Sequence, residues 1–140
     1  MAMKTIVGSA LMSTLLLLAG CGSAPVKQDD PAVLAASLKQ LSAAMESYLL
    51  YEHRPPGASE ELLLSEGTRN TPGLLEAFQG YRVRVAREQP RALLMVCSAD
   101  GKRALMEDVG CTPKLDKPLW EQGNAPCEFT LEIKDACQRR

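Results

Sequence analysis

The stretch YRVRVAREQPRALLMVCSADG, residues 81–101, decides the fold of this chain. Residues 81–85 alternate strictly, with three apolar side chains on one side and two arginines on the other, which is typical of a strand with one buried face. A polar turn over 88–91 leads into the continuous apolar run 92–97, which predicts a strand covered on both faces. Asp100-Gly101 is a strong signal for a second tight turn. The stretch therefore predicts antiparallel strands joined by short turns.

An amphipathic helix is predicted before these strands, from Pro31 to about Glu52. Asp30 can accept hydrogen bonds as the N-cap, and proline suits the first helical position. The apolar stripe can pack on the domain itself or bind a partner, and we expect the first. Two shorter helices are expected over 59–66 and 71–80. The stripe consists of side chains at steps of three and four: Leu34, Leu38, Leu41, Met45, Tyr48 and Leu49.

Two more strands are expected towards the carboxyl terminus. Residues 103–107 can return beside the apolar strand, whereas 109–126 contains several prolines and is expected to be irregular. The alternation resumes from Cys127 to Ile133 and predicts a fourth strand. Helices first and strands afterwards predict an α+β fold, with the helices over one face of a roughly four-stranded antiparallel sheet.

The amino-terminal residues carry an export signal. Lys4 precedes the uncharged apolar run 5–17, and small residues follow it, as in a cleavable signal peptide. The apolar stretch is short for a membrane span, which needs about 20 residues. The tetrapeptide Leu18-Ala19-Gly20-Cys21 resembles the lipobox of bacterial lipoproteins. The resemblance implies that the Cys21 thiol receives a diacylglyceryl group, that the chain is cut before this residue, and that the new amino terminus is acylated.

This resemblance also implies the domain organisation and the location. A lipoprotein signal peptide would cover 1–20, a lipidated tether 21–30, and a single small α+β domain 31–140. Lipoproteins retained in the inner membrane often carry Asp after the cysteine, and this chain has Gly22 there. We therefore expect a lipid-anchored protein of the bacterial cell envelope, at the outer membrane and facing the periplasm.

The cysteine count agrees with export, because four cysteines remain once Cys21 is assigned to the lipid. An even number in an exported chain predicts disulfides, here two of them. We expect one bond to close the proline-rich loop 111–127 and the other to join a central strand to the carboxyl-terminal tail. The alternative pairs each cysteine with its sequence neighbour. The expected pairs are Cys111–Cys127 with Cys97–Cys137, and the alternative is Cys97–Cys111 with Cys127–Cys137.

Several classes of function have little support in the sequence. The net charge of −1 and the low aromatic content of 4% give no electrostatic or stacking case for nucleic acid. His53 is the single histidine and is expected to interact with a helix end rather than to catalyse. The acidic pairs Glu60-Glu61 and Glu107-Asp108 are the nearest candidates for acid–base chemistry. We expect structural roles for both pairs, and therefore no enzyme, no cofactor and no metal.

The candidates for partner binding are Trp120 and an arginine-bearing strand face. Trp120 lies in the proline-rich loop and can serve as an aromatic anchor or fill the core. Arg82 and Arg84 can meet an acidic partner or form a solvated face that discourages edge association.

Together these features predict a non-enzymatic accessory or assembly factor of an envelope complex, such as secretion, pilus or cell-wall machinery, whose partner is an envelope protein. The alternative is an inhibitor or immunity protein against a periplasmic hydrolase.

Overall fold

The structure is a computed structural model that describes residues 30–52, 57–88 and 90–138. The tetrapeptide that resembles a lipobox, the predicted tether up to residue 29, and His53 lie outside these residues. The four strands form one antiparallel sheet in the order β1-β2-β3-β4, so the α+β class and the strand number are confirmed. The elements are α1 (Pro31–Tyr51), α2 (Glu60–Gly67), a 3-10 helix (Pro72–Phe78), β1 (Tyr81–Glu88), β2 (Arg91–Ser98), β3 (Ala104–Val109), β4 (Lys117–Pro118), a second 3-10 helix (Trp120–Gln122) and α3 (Ile133–Gln138).

Helix α1 begins and packs as its sequence predicts. The Asp30 carboxylate accepts a hydrogen bond from the Ala32 amide at 2.9 Å, and Pro31 occupies the first turn. The apolar stripe faces the sheet, where it meets alternate side chains of β1 and β2, so it is used within the domain. The buried members of the stripe are Leu34, Leu38, Leu41, Met45 and Leu49.

The three long strands form two successive hairpins. β1 pairs with β2 from Tyr81 opposite Ser98 to Glu88 opposite Arg91. Between β2 and β3, the Asp100 carboxylate accepts hydrogen bonds from the Ser98 hydroxyl at 2.6 Å and the Lys102 amide at 3.1 Å. Gly101 has a φ of 70°, a left-handed conformation that glycine adopts without steric cost. The predicted Asp100-Gly101 turn is confirmed, and the pairing of Glu88 with Arg91 agrees with the turn predicted over 88–91, of which residue 89 lies outside the described residues.

The fourth strand is not where the sequence analysis expected it. The short strand β4, Lys117–Pro118, pairs with β3 within the stretch expected to be irregular. The segment from Cys127 to Ile133 forms no strand, and α3 begins at its end. Its alternation nevertheless has a structural cause, because Phe129 and Leu131 pack on the sheet while Glu128, Thr130 and Glu132 are exposed. The alternation therefore arises because every second side chain contacts the face of the sheet, and not because the segment pairs with the edge of the sheet.

This segment covers the face of the sheet opposite to α1. Leu93 and Val109 pack there against Ile133 and Ala136 of α3, so the helices are not confined to one face as expected. The predicted burial of β2 on both faces is confirmed, because residues 92–97 are all buried.

Both disulfides tie the carboxyl-terminal segment to the sheet. The bonds are Cys97–Cys127 and Cys111–Cys137, with Cα–Cα distances of 5.8 and 5.7 Å. Two disulfides were expected, but both the preferred and the alternative pairing were wrong. Cys97 lies near the end of β2, beside the start of β3, and Cys111 follows the end of β3, so the two lie at opposite ends of the sheet. Each of them forms a disulfide with the part of residues 127–137, the crossing segment, that passes the same end of the sheet.

Candidate functional site

An apolar cavity of about 260 Å³ lies at the end of the sheet where β1 begins and β2 finishes. The start of α1 forms one wall with Pro31 and Leu34, and Tyr81 contributes from β1. Leu34 and Met106 are buried and form the floor, whereas Pro31 is exposed at the mouth. The cavity therefore opens onto the main core between the start of α1 and this end of the sheet.

Trp120, the chain's single tryptophan, lines this cavity. It is half-buried and packs against the main core, in the short 3-10 helix that follows β4. The Leu119 amide donates a hydrogen bond to the Leu105 carbonyl at 2.9 Å and fixes the start of this helix to β3. Trp120 thus packs on the core and also lines the cavity, and its use as a binding anchor stays a prediction.

Arg103 provides the positive charge of the cavity wall. Its backbone is fixed at the β2–β3 hairpin, since its amide donates to the Ser98 hydroxyl at 3.1 Å and its carbonyl accepts from the Ser98 amide at 2.9 Å. Its guanidinium is exposed and makes a long contact of 3.5 Å with the Gly123 carbonyl. Among the residues that line the cavity there is no Asp or Glu.

The sequence analysis did not select Arg103. A charge two residues beyond the Asp100-Gly101 turn was the available signal, because a tight hairpin brings that position back beside the end of β2. The neighbouring Asp100 is already engaged: hydrogen bonds from Ser98 and then Lys102 hold the pKa of its carboxyl below the usual range.

The candidate arginines lie on the other face of the sheet from Trp120. Arg84 donates to the Glu60 carboxylate and to the Cys127 carbonyl, both at 3.0 Å. Its guanidinium also lies 5.2 Å from the centroid of the Phe129 ring. These contacts place Arg84 inside the fold, whereas Arg82 is exposed. The structure does not bring the three candidate residues together.

Glu60 closes part of the exposed edge of the sheet. Its carboxylate accepts a hydrogen bond from the Val85 amide at 3.2 Å as well as the ion pair from Arg84. Strand β1 lies at the edge of the sheet, and a free amide row there would be a template for another strand. Glu60 occupies that position from the first turn of α2, so this member of the Glu60-Glu61 pair has a structural contact.

The adjacent carboxylates Glu107 and Asp108 are both buried with no exposed surface. Successive side chains of a strand point to opposite faces, and these two do so. Glu107 accepts hydrogen bonds from the Thr130 amide, the Thr130 hydroxyl and the Leu131 amide, all at 2.8 Å. Asp108 pairs with Lys39 of α1 at 3.0 Å on the other face. The pair cannot act together on one substrate.

The Asp108 carboxyl belongs to a polar network at the end of β3. Burial raises its pKa to about 6, although Ser42 and Lys39 oppose the shift. The Lys39 ammonium also donates to the Val109 carbonyl at 3.2 Å, and the Asp116 amide donates to Asp108 at 3.3 Å. The network joins α1, β3 and the loop before β4.

Neither the described residues nor the comparisons with known proteins identify a class of function. In residues 30–52, 57–88 and 90–138, no group of three or more His, Cys, Asp or Glu side chains could hold a metal ion. No helix within those ranges is both long and apolar enough to cross a membrane. Searches of family models, curated proteins and solved structures found no significant match for this chain.

Proposed function

We propose that this chain is a periplasm-facing outer-membrane lipoprotein and a non-enzymatic accessory or assembly factor of an envelope complex, such as secretion, pilus or cell-wall machinery. The observation that carries the proposal is the open apolar cavity beside Trp120 and Arg103. A pocket that combines apolar walls, an aromatic ring and one cation suits the capture of a partner side chain.

The chemistry of the cysteines supports an exported location. Disulfides persist in oxidising compartments such as the bacterial periplasm, and the two bonds join all four cysteines that follow Cys21. The lipobox resemblance assigns the remaining cysteine to the anchor.

The internal contacts of the candidate charged side chains favour a binding role over a catalytic one. Glu107, Asp108 and Arg84 hold elements of the domain together. The inhibitor or immunity alternative would use a protruding loop with Trp120 or the Arg82/Arg84 face as its anchor. Trp120 is half-buried and Arg84 is paired with Glu60, which leaves Arg82 as the exposed member of that face.

Cross-linking at native expression level tests the proposal. The tagged protein is cross-linked in intact cells, purified under reducing and non-reducing conditions, and its partners are identified by mass spectrometry. We expect one defined envelope protein, recovered with the wild type and lost with Ala99→Phe, which would fill the cavity from its exposed wall. The matched control Lys102→Gln, an exposed neighbour outside the cavity, should retain the partner. Recovery of no envelope protein would overturn the proposal.

A further inference from the structure

We propose that the cavity binds the carboxyl terminus of a partner polypeptide whose last residue has a large apolar side chain. This inference rests on the proposed function and names the chemistry of the partner. In the complex, the apolar side chain would fill the cavity and the terminal carboxylate would pair with Arg103.

The size of the cavity sets the size of the occupant. Sites for drug-sized ligands and cofactors usually enclose about 300–1,000 Å³, so a volume of about 260 Å³ suits one large side chain. Leu34 and Met106 form a buried floor, and Trp120 offers an aromatic wall. Aromatic and large aliphatic groups gain most from such burial.

The positive charge of the site determines the second group that the ligand must carry, which is a carboxylate. Arg103 is the cation on the wall; its guanidinium contacts the Gly123 carbonyl at 3.5 Å, and its charge also contributes to lowering the pKa of the nearby Asp100 carboxyl. Asp100, the nearby carboxylate, is held by the Ser98 hydroxyl and the Lys102 amide. A guanidinium in this position can form paired hydrogen bonds with an incoming carboxylate.

The combination favours a chain terminus over other ligands with an apolar group and an anion. A free amino acid would bring its ammonium group close to the Arg103 guanidinium, and the nearby Asp100 carboxylate is already held by the Ser98 hydroxyl and the Lys102 amide. An internal peptide segment would place the apolar group without an anion of its own. A terminal residue has the apolar side chain and the carboxylate on one carbon atom, and its nitrogen is an uncharged amide.

The single tryptophan provides the measurement. The protein as the cell processes it is reconstituted in phospholipid vesicles without other protein, and Trp120 emission is followed during titration with acetyl-Gly-Ser-Gly-Ser-Gly-Phe bearing a free carboxyl terminus. We expect a saturable change with this peptide, at least tenfold weaker binding of its carboxyl amide, and no binding of the same peptide ending in Ser. Free phenylalanine should also bind at least tenfold more weakly.

Two variants and one control assign the binding to the cavity. Arg103→Gln should weaken binding of the free acid about tenfold and leave the amide unchanged, as loss of one charged pair predicts. Ala99→Phe should abolish binding, and Lys102→Gln should change nothing. Peptide mapping of the disulfides confirms that each variant has folded.

Three results would each overturn the inference: no saturable signal with the free acid, equal affinity of acid and amide, or equal affinity of free phenylalanine and the peptide. These results concern the cavity alone. The membrane location and the envelope partner of the proposed function are measured by fractionation and cross-linking. The cavity inference and the proposed function can therefore fail independently of each other.

Discussion

At the scale of single residues, the Glu107 carboxylate accepts backbone hydrogen bonds that the carbonyls of a neighbouring strand would otherwise accept. Its oxygens accept hydrogen bonds from the Thr130 and Leu131 amides, which would otherwise need a backbone carbonyl as acceptor. Burying a charge is costly, and these hydrogen bonds offset the loss of hydration. One side chain therefore holds the crossing segment on the face of the sheet.

Glu107→Gln should lower the free energy of unfolding by about 2–4 kcal/mol, because the new amide group would face backbone donors and leave buried groups unpaired. Urea denaturation of the oxidised protein measures this. Glu121→Gln, at an exposed position, is the control and should change stability by less than about 0.5 kcal/mol. Equal stability of both variants would contradict the role given to Glu107.

Asp108 should make the protein less stable as the pH rises. Its pKa is raised from 3.8 to about 6 in the folded state, so the folded protein keeps a proton that the unfolded chain has lost. The stabilisation is complete below about pH 4 and disappears as the pH passes about 6, with a total of up to about 3 kcal/mol.

Asp108→Asn, which does not titrate, provides the comparison for this effect. The unfolding free energy of the wild type minus that of the variant should fall between about pH 4 and 7 and then remain constant. A difference that rises with pH would show that the Lys39 ion pair outweighs burial and would contradict the prediction.

At the scale of elements, the sequence predicted what local patterns determine. Helix α1 has its cap and its stripe within one segment, and the Asp100-Gly101 turn specifies its hairpin through its own backbone. The conformation of 127–133 depends on Glu107 and on the disulfide to Cys97, which are distant in sequence. Period-two alternation could not distinguish a strand at the edge from a segment lying on the face.

The same distinction between features determined locally and features determined by tertiary contacts applies to the candidate site. Trp120 was selected because a lone tryptophan in a proline-rich loop is conspicuous in the sequence. Arg103 was missed because its importance comes from the neighbours that the hairpin and α1 bring to it, Pro31 and Leu34 among them. The arginines of β1 were conspicuous too, but tertiary contacts engage Arg84 within the fold.

The two disulfides should contribute separately to stability. Non-reducing peptide mapping should recover Cys97–Cys127 and Cys111–Cys137 as the linked peptides. Replacing either pair by alanine should cost about 2–4 kcal/mol, because each bond closes a loop of similar length. Hydrogen exchange should show loss of protection in α3 for the Cys111–Cys137 variant only. Recovery of any other pairing would contradict the structure of the carboxyl-terminal segment.

At the scale of the whole molecule, the proposed lipid anchor on Cys21 would hold the domain at a membrane. Cys21→Ser should abolish lipidation and release the protein from membranes, while leaving the domain beyond Pro31 folded. Membrane flotation and labelling with a radioactive fatty acid measure this, and Gly22→Asp should shift the protein towards the inner membrane. A Cys21→Ser protein that still floats with membranes would contradict the lipoprotein assignment.

The interleaved disulfides have a consequence for how the protein matures. If the chain enters the periplasm amino terminus first, Cys97 and Cys111 arrive before either of their native partners. Oxidation in the order of arrival would join these two, a bond that the finished sheet cannot contain because they lie at its opposite ends. The yield of native protein should then depend on the time for which thiols remain reduced and on the supply of disulfide isomerase.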